Sequence, residues 1–453
     1  MQKVWRGRLL SAPFCPNRQR MPRSAPRPDD VPGLPARRSA LRLLDAVLRR
    51  GEPLELALHG AAQGLPQADR ALVHAIAAEV LRHLPDLDAL IDGATKQILP
   101  DDAKARMVLR IALVQALVLG TPAHAAIATA LPLVDGGPRK LVHGVFGTVT
   151  RQAPVLPDPP TLPAEVATRW ETQWGTDMVQ AAAVAYGQRP PVDVSLRDAQ
   201  ETAHWATLLN GQSLLNGQSL CTGHVRLPDN AAIPELPGFA DGAWWVQDVA
   251  ASCAARLLGA GEGRAVLDLC AAPGGKTMQL AAAGWSVTAV DQSKKRLERL
   301  SENLARTGLT AQVVAADLRT WQPDAPVDAI LLDAPCTATG IYRRHPDVLH
   351  RIGPRQIEEL AELQGELLER AAAWVKPGGR IVYATCSLER AEGEDQVARF
   401  LGAHADFVID SARSDELPAG VTPSVEGWVR TLPDTLADRG GADGFFIVRL
   451  ARR

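Results

Sequence analysis

The sequence predicts a two-part chain: an all-helical domain, then an α/β domain built on a doubly wound parallel sheet. Three observations predict it. Residues 37–152 repeat apolar side chains at helical spacing, and no stretch there alternates with period two. From residue 244 onward, short β-type apolar runs alternate with helical patterns, the rhythm of a parallel sheet with crossover helices. Between the two parts, residues 153–163 read APVLPDPPTLP, five prolines in eleven positions, which predicts a semi-rigid polyproline linker and a domain boundary.

Length and composition agree. The 453 residues allow two or three domains, and 46% hydrophobic with 22% charged residues is an ordinary globular balance. No apolar run approaches the length of a membrane span. Six cysteines (15, 221, 253, 270, 336 and 386), without CxxC spacing, make neither a disulfide scaffold nor a zinc site, and a reducing cytoplasm fits them. The net charge of -2 means that a nucleic-acid partner must be held by local basic patches.

Taken in order, residues 1–36 are expected to be unfolded. The first 28 carry seven Lys or Arg, no acid and five prolines. They read as a basic arm touching RNA phosphates, as a functionless tail or over-long start with Met21 as the true beginning, or as a transit peptide. In 37–152 the apolar sets Leu41/Leu44/Leu48, Leu72/Val73/Ile76/Val80/Leu81 and Met107/Val108/Ile111/Leu117/Val118 mark buried helix faces. Fourteen basic against eleven acidic side chains give this domain a weak positive bias. Residues 164–243 form a smaller extension: a helix from Glu165 to about Tyr186, a strand in PPVDVSLR, and a tandem LNGQSL copy at 209–220 that reads as a duplicated loop. Strands are predicted at 265–269, 287–290, 312–315, 329–332 and 380–384, with helices near 275–283, 293–306 and 355–374.

The chemistry lies where these strands end. The first runs into Cys270, Ala271, Ala272, Pro273, Gly274, Gly275 and Lys276, small residues that let a ligand approach the backbone ahead of a helix N-terminus. This is neither a dinucleotide fingerprint nor a Walker A loop. The next three strands end in Asp291, Asp317 and Asp333, carboxylates suited to ribose hydroxyls and an adenine amino group. Each taken alone would read as a helix cap; the set reads as one adenosine-sized cleft. Two cysteines then follow strand ends, Cys336 in DAPC and Cys386 in YATCS. A thiolate adding to C6 of a cytosine makes C5 nucleophilic enough to take a methyl group. The residues alone leave open which cysteine attacks. Arg343 and Arg344, on the loop after Cys336, suit phosphate contacts, whereas the run Lys294, Lys295, Arg296 and Arg299 reads mainly as a solvated helix face. No metal site is expected.

CAAPGGKT (270–277), VDQS (290–293), AADLR (315–319), DAPCTATG (333–340), RRHPD (343–347) and YATCSLERAEGED (383–395) occur in the order seen in RNA 5-methylcytosine methyltransferases, which this part of the chain resembles from about 245 to 450. Residues 70–82 and 140–152 resemble the NusB-like RNA-binding domain. The fusion resembles the bacterial RsmB family (also called Sun or Fmu), which methylates a cytosine of 16S ribosomal RNA. The resemblance implies a Rossmann-like class I S-adenosylmethionine-dependent methyltransferase domain at 244–453, behind a NusB-like domain at 37–152. It implies Cys386 as nucleophile, Cys336 in product release, and an S-adenosylmethionine pocket lined by 270–276, Asp291, Asp317 and Asp333, with Asp333 also near the cytosine. The expected partner is small-subunit ribosomal RNA, met by a cytoplasmic monomer without membrane contact. A transfer-RNA substrate, a DNA cytosine methyltransferase and a non-catalytic RNA-binding scaffold are the alternatives; the second cysteine and the lack of a long recognition insert weigh against the DNA enzyme, and the complete nucleotide-binding set against the scaffold. One departure stands out: the family's usual Glu-Asn-Glu after TCS reads Glu392-Gly393-Glu394.

Overall fold

A computed structural model describes residues 32–210, 218–227 and 232–453. The basic leader to residue 31 and most of the duplicated LNGQSL segment (211–217) lie outside the described residues.

The helical domain comprises α1 (Leu34–Arg50), α2 (Leu54–Ala61), α3 (Gln67–Arg82), α4 (Leu84–Gly93), α5 (Lys104–Leu117), α6 (Ala123–Ala130) and α7 (Gly137–Arg151). It begins at 34 rather than 37: Pro35 opens the first turn of α1, where its missing N–H costs nothing, and Gly51 closes the helix at φ 68°. The buried stripe of α1 is Leu43, Leu44 and Val47; Leu41 and Leu48 of the predicted set flank it half-buried. Val73, Ile76 and Val80 of α3 and Val108 and Ile111 of α5 complete an aliphatic core with none of these five exposed.

The proline segment that follows has no regular structure, yet it is not a free spacer. Leu162 is buried among Trp170, Tyr186 and Tyr342, and the Thr161 N–H donates to Asp86 of α4 at 3.1 Å. The single helix predicted over 165–186 is two, α8 (Ala164–Trp174) and α9 (Thr176–Gly187). Gly175, at φ 86° and ψ 170°, breaks them, a conformation that apolar periodicity does not reveal.

Next come β1 (Asp193–Leu196), α10 (Thr202–Asn210), β2 (Gln218–Cys221), β3 (His224–Arg226) and β4 (Trp244–Val246), whose strands form a small antiparallel sheet in the order β2-β3-β1-β4. The α/β domain then runs α11 (Val249–Arg256), β5 (Ala265–Leu269), α12 (Gly275–Ala282), β6 (Ser286–Asp291), α13 (Lys294–Thr307), β7 (Gln312–Ala315), β8 (Val327–Asp333), α14 (Val348–Arg351), α15 (Pro354–Trp374), β9 (Val375–Thr385), α16 (Glu394–Ala403), β10 (Phe407–Ile409), β11 (Val429–Thr431) and β12 (Phe445–Arg452). Its main sheet is ordered β10-β12-β9-β8-β5-β6-β7, with β11 paired to β12. Strands β5 to β9 are parallel; β12 returns antiparallel to β9. The strand order reverses at β5, so ligands are expected beyond the carboxyl ends of β5, β6 and β8. Among the described residues, no helix is long and apolar enough to cross a membrane.

The two domains meet along α2 and α3. The Leu54 N–H donates to Asp347 Oδ2 at 3.2 Å, the Arg82 guanidinium donates to the Arg343 carbonyl at 3.1 Å, and His350 Nε2 meets the Leu81 carbonyl at 2.6 Å. The helical domain therefore rests on the 343–350 segment, which continues the Cys336 loop.

Candidate active site

The carboxyl ends of the parallel strands build the site. β5 leaves the sheet through Cys270, held at φ 62°, a left-handed conformation that a non-glycine residue keeps only when its surroundings impose it. The Ala271 N–H then donates to the Val290 carbonyl at 3.1 Å and the Ala272 N–H to Asp291 Oδ2 at 3.2 Å. Asp291 Oδ1 also accepts from the Ser293 N–H at 2.8 Å, so this carboxylate shapes the cleft wall while keeping lone pairs for a ligand. Of the rest of the 270–276 turn, Pro273 is exposed and Gly274, at φ 103°, packs against Leu300. Gly275 opens α12, and a Cβ there would come no closer than 3.5 Å to anything, so space is left for an approaching group.

A cleft of about 220 Å³ lies over these ends, lined by Cys270, Asp291, Gln292, Asp317, Pro335 and Leu363, among others. Two larger grooves, about 630 and 680 Å³, lie along the proline segment and beside α11, away from the strand-end carboxylates. The small cleft has what an adenosine-bearing sulfonium compound needs: acceptors at Asp291 and Asp317 for hydroxyl or amino groups, and apolar walls at Pro335, Leu363 and Leu367 for a flat ring. Asp317 sits at its mouth, held below the usual carboxylate range by hydrogen bonds from the Arg319 side chain and N–H.

Asp333 and Lys276 do not line that cleft. They pair with each other at 2.7 Å, with the ammonium 5.3 Å over the Phe445 ring. Burial loosens the Lys276 proton; Asp333 outweighs it, and the Cys386 sulfur adds to the same effect, so the ammonium is held more firmly than a free lysine. Beneath them Asp268, next to the last residue of β5, is fully buried and pushed up to about 7 by that burial, with Thr277 Oγ1 donating to it at 2.5 Å.

The two thiols come together. Cys336 follows β8, Cys386 follows β9, and their sulfurs are 3.4 Å apart, both unoxidised. The hydrogen bond to Cys386 and then burial push the Cys336 thiol well above its ordinary value, so it stays protonated. A buried carboxylate that sequence reasoning passed over fixes this separation. Glu392 accepts from the Thr337 N–H at 2.9 Å, from Gln364 Nε2 at 2.8 Å, and from the Thr337 and Ser387 hydroxyls. Thr337 and Ser387 each follow one of the cysteines, so one side chain ties both loops. Burial pushes Glu392 up, and its four hydrogen bonds pull the other way. The loop is tied from outside as well: Glu389 accepts from Arg169, Trp170 and Gln173 of α8. The glycine that departs from the family pattern has a steric reason. A Cβ on Gly393 would stand 2.7 Å from Arg430 Nη2 and 2.8 Å from Phe446 Cγ, while Arg430 pairs with Glu394 at 2.6 Å.

The expected phosphate contacts at Arg343 and Arg344 are overturned. Arg343 is 2% exposed and donates to the carbonyls of Gly440 and Ala442. Arg344 bridges Asp248 at 2.9 Å and Asp443 at 3.1 Å. Both guanidiniums anchor the loop to the C-terminal segment and are not offered to RNA. The exposed basic side chain nearest Cys386 in sequence is Arg390, resting over Trp174 at 5.3 Å. Of the run from Lys294, Lys294, Lys295 and Arg299 lie, as read, on the outer face of α13, which buries Leu297, Leu300 and Leu304 instead, whereas Arg296 turns to the cleft, its guanidinium donating to the Ala272 carbonyl and standing 3.5 Å from Asp291. Among the described residues no cluster of His, Cys, Asp and Glu could hold a metal ion.

Sheet order and the strand-end cleft place the chain in the class of doubly wound methyltransferases, here with a helical domain in front. Residues 255–451 match the family model of the 16S rRNA methyltransferases RsmB/F, and residues 34–151 match the NusB family. The chain is 34% identical over 437 residues to ribosomal RNA small subunit methyltransferase B of Erwinia tasmaniensis, covering 91% of this chain and 98% of the relative. It belongs to that family. Among solved structures, PH0851 matches with a TM-score of 0.70 at 23% identity over 93% of this chain and 99% of its own. NSun6 from Pyrococcus horikoshii, solved with SFG, matches with a TM-score of 0.55 at 20% identity over 64% of this chain and 98% of its own. At these identities the two structures speak for the fold.

Proposed function

We propose that the protein methylates C5 of a cytosine in 16S ribosomal RNA, working in the cytoplasm as a monomer, with Cys386 as nucleophile and Cys336 in product release. Bound in the strand-end cleft, S-adenosylmethionine supplies an electrophilic methyl group. Cys270, Asp291 and Asp317 would hold it there. The Cys386 sulfur forms a bond to C6 of the cytosine, which moves electron density onto C5. The Lys276 ammonium and Asp333 meet the polar edge of the ring and balance charge as it shifts. After methyl transfer, loss of the C5 proton restores the double bond and expels the sulfur. Cys336, held as a neutral thiol, keeps its proton within reach of that departing sulfur. One observation carries the assignment: two thiols 3.4 Å apart beside the cleft, with Cys336 kept protonated by that contact and by burial.

Cys336→Ala tests it. This variant should leave protein covalently attached to RNA, a retarded band on a denaturing gel; an adduct-free gel rejects the release role. Bisulfite sequencing of RNA from cells with and without the gene should show one methylated cytosine lost from 16S ribosomal RNA. A site lost from transfer RNA instead rejects the substrate.

A further inference from the structure

The thiol pair has a second chemistry that methyl transfer does not use. Cys336 and Cys386 sit on neighbouring loops beyond β8 and β9, where Asp333 is in register with Ala384. The loops are tied by the Ala334 N–H to the Ala384 carbonyl and the Gly340 N–H to the Cys386 carbonyl, each 2.9 Å. Their sulfurs, at 3.4 Å, need to close by only about 1.4 Å to reach disulfide length, within the reach of side-chain rotation. Both residues are partly exposed, whereas Cys253 is wholly buried. Among the described cysteines no other two sulfurs are in contact.

We infer that Cys336 and Cys386 form a redox-modification site, in which a hydroperoxide converts the two thiols into an internal disulfide. In the first step the Cys386 sulfur attacks the peroxide O–O bond; with hydrogen peroxide this gives a sulfenic acid and one water. In the second the Cys336 sulfur displaces the hydroxyl, forming the S–S bond and releasing a second water. The two thiols together lose two electrons and two protons, and the peroxide takes them up. Cys386, the nucleophile of the proposed methyl transfer, takes the first attack, and Cys336 stands in contact to resolve it. The disulfide withdraws both sulfurs from RNA chemistry and shields Cys386 from irreversible oxidation. This inference goes beyond the methyl-transfer reading, since bond formation needs only the two sulfurs and a peroxide.

The experiment is peptide mapping of the full-length protein after brief hydrogen peroxide treatment. The expected result is a linked pair of peptides containing Cys336 and Cys386, lighter by about 2 Da than the sum of the two thiol peptides. Methyl transfer falls to background in proportion and returns on adding dithiothreitol. In Cys336→Ala, Cys386 instead gains about 32 Da as the sulfinic acid, which dithiothreitol does not reverse. Peptides that stay unlinked, or either cysteine linked to another, overturn the inference. So does sulfinic acid forming equally fast with and without Cys336. Because linkage is read by mass, it stands or falls separately from the methylation assay.

Discussion

The helical domain and the carboxyl edge of the sheet are held by different physics. The bundle core is chiefly aliphatic, with Leu43, Ile76 and Ile111 fully buried, and although the buried Arg106 and Arg110 pair with Asp88, most of its stability comes from non-directional burial of apolar surface. The sheet edge buries carboxylates instead: Glu389, Glu392 and Asp268 are all 0% exposed, and Glu389 and Glu392 each collect hydrogen bonds from several donors. Apolar packing tolerates small shifts, because many weak contacts share the load. Directional bonds to one carboxylate fix loops to tenths of an ångström, and breaking one leaves buried partners unsatisfied. The chain uses the first where mass must be held and the second where two sulfurs must meet.

Substitutions should separate the two regimes. Cys386→Ala should lower methyl transfer by on the order of a thousandfold or more while cofactor titration stays unchanged, since the sulfur acts only in chemistry. Retained turnover would reject its role. Glu392→Ala should lower kcat by roughly a hundredfold with little change in KM, by releasing the Thr337 and Ser387 loops, and Glu392→Gln should recover most of the loss. Equal losses in both variants would mean that the carboxylate does more than position.

The seam between the regions should respond to acid. Burial lowers His350 to about 4, from an ordinary 6.5, while Nε2 meets the Leu81 carbonyl. The folded state therefore binds fewer protons than the unfolded chain between these values. The stabilisation is present above pH 6.5 and is lost as pH falls towards 4. Comparing Tm for the parent and His350→Gln from pH 7 to 4 should show a flatter acid limb in the variant, worth about 1–2 kcal/mol. The smallest effect is expected in the bundle. Ile76→Val should cost about 1 kcal/mol of stability by denaturant titration and leave kcat within twofold.

Much of the catalytic half was legible before any coordinates. Strand β5 falls at 265–269 as read, and β6, β7, β8 and β9 contain their predicted cores. Apolar runs bounded by polar turns are local signals, and a parallel sheet follows from their alternation with helices. The Asp residues at the strand ends and the two cysteines were visible because chemistry-bearing side chains interrupt apolar patterns. Glu392 was not: in ERAEGED it looks like one acid among several, and only the meeting of the Cys336 and Cys386 loops buries it. The assignment of Arg343 failed for the complementary reason. A pair of arginines beside a reactive loop reads as exposed, yet carbonyls about a hundred residues later in the chain, at Gly440 and Ala442, take up the Arg343 guanidinium.

Sequence alone determined the central strands and helices of the α/β domain, their alternation and the set of reactive side chains, because periodicity, capping and residue chemistry act over a few neighbours. Tertiary structure decided which of them meet: Lys276 with Asp333, Cys336 with Cys386, and Arg343 with the chain end. Burial and distance between segments dozens to hundreds of residues apart are set by how the sheet and the helical domain pack, and no local pattern encodes them.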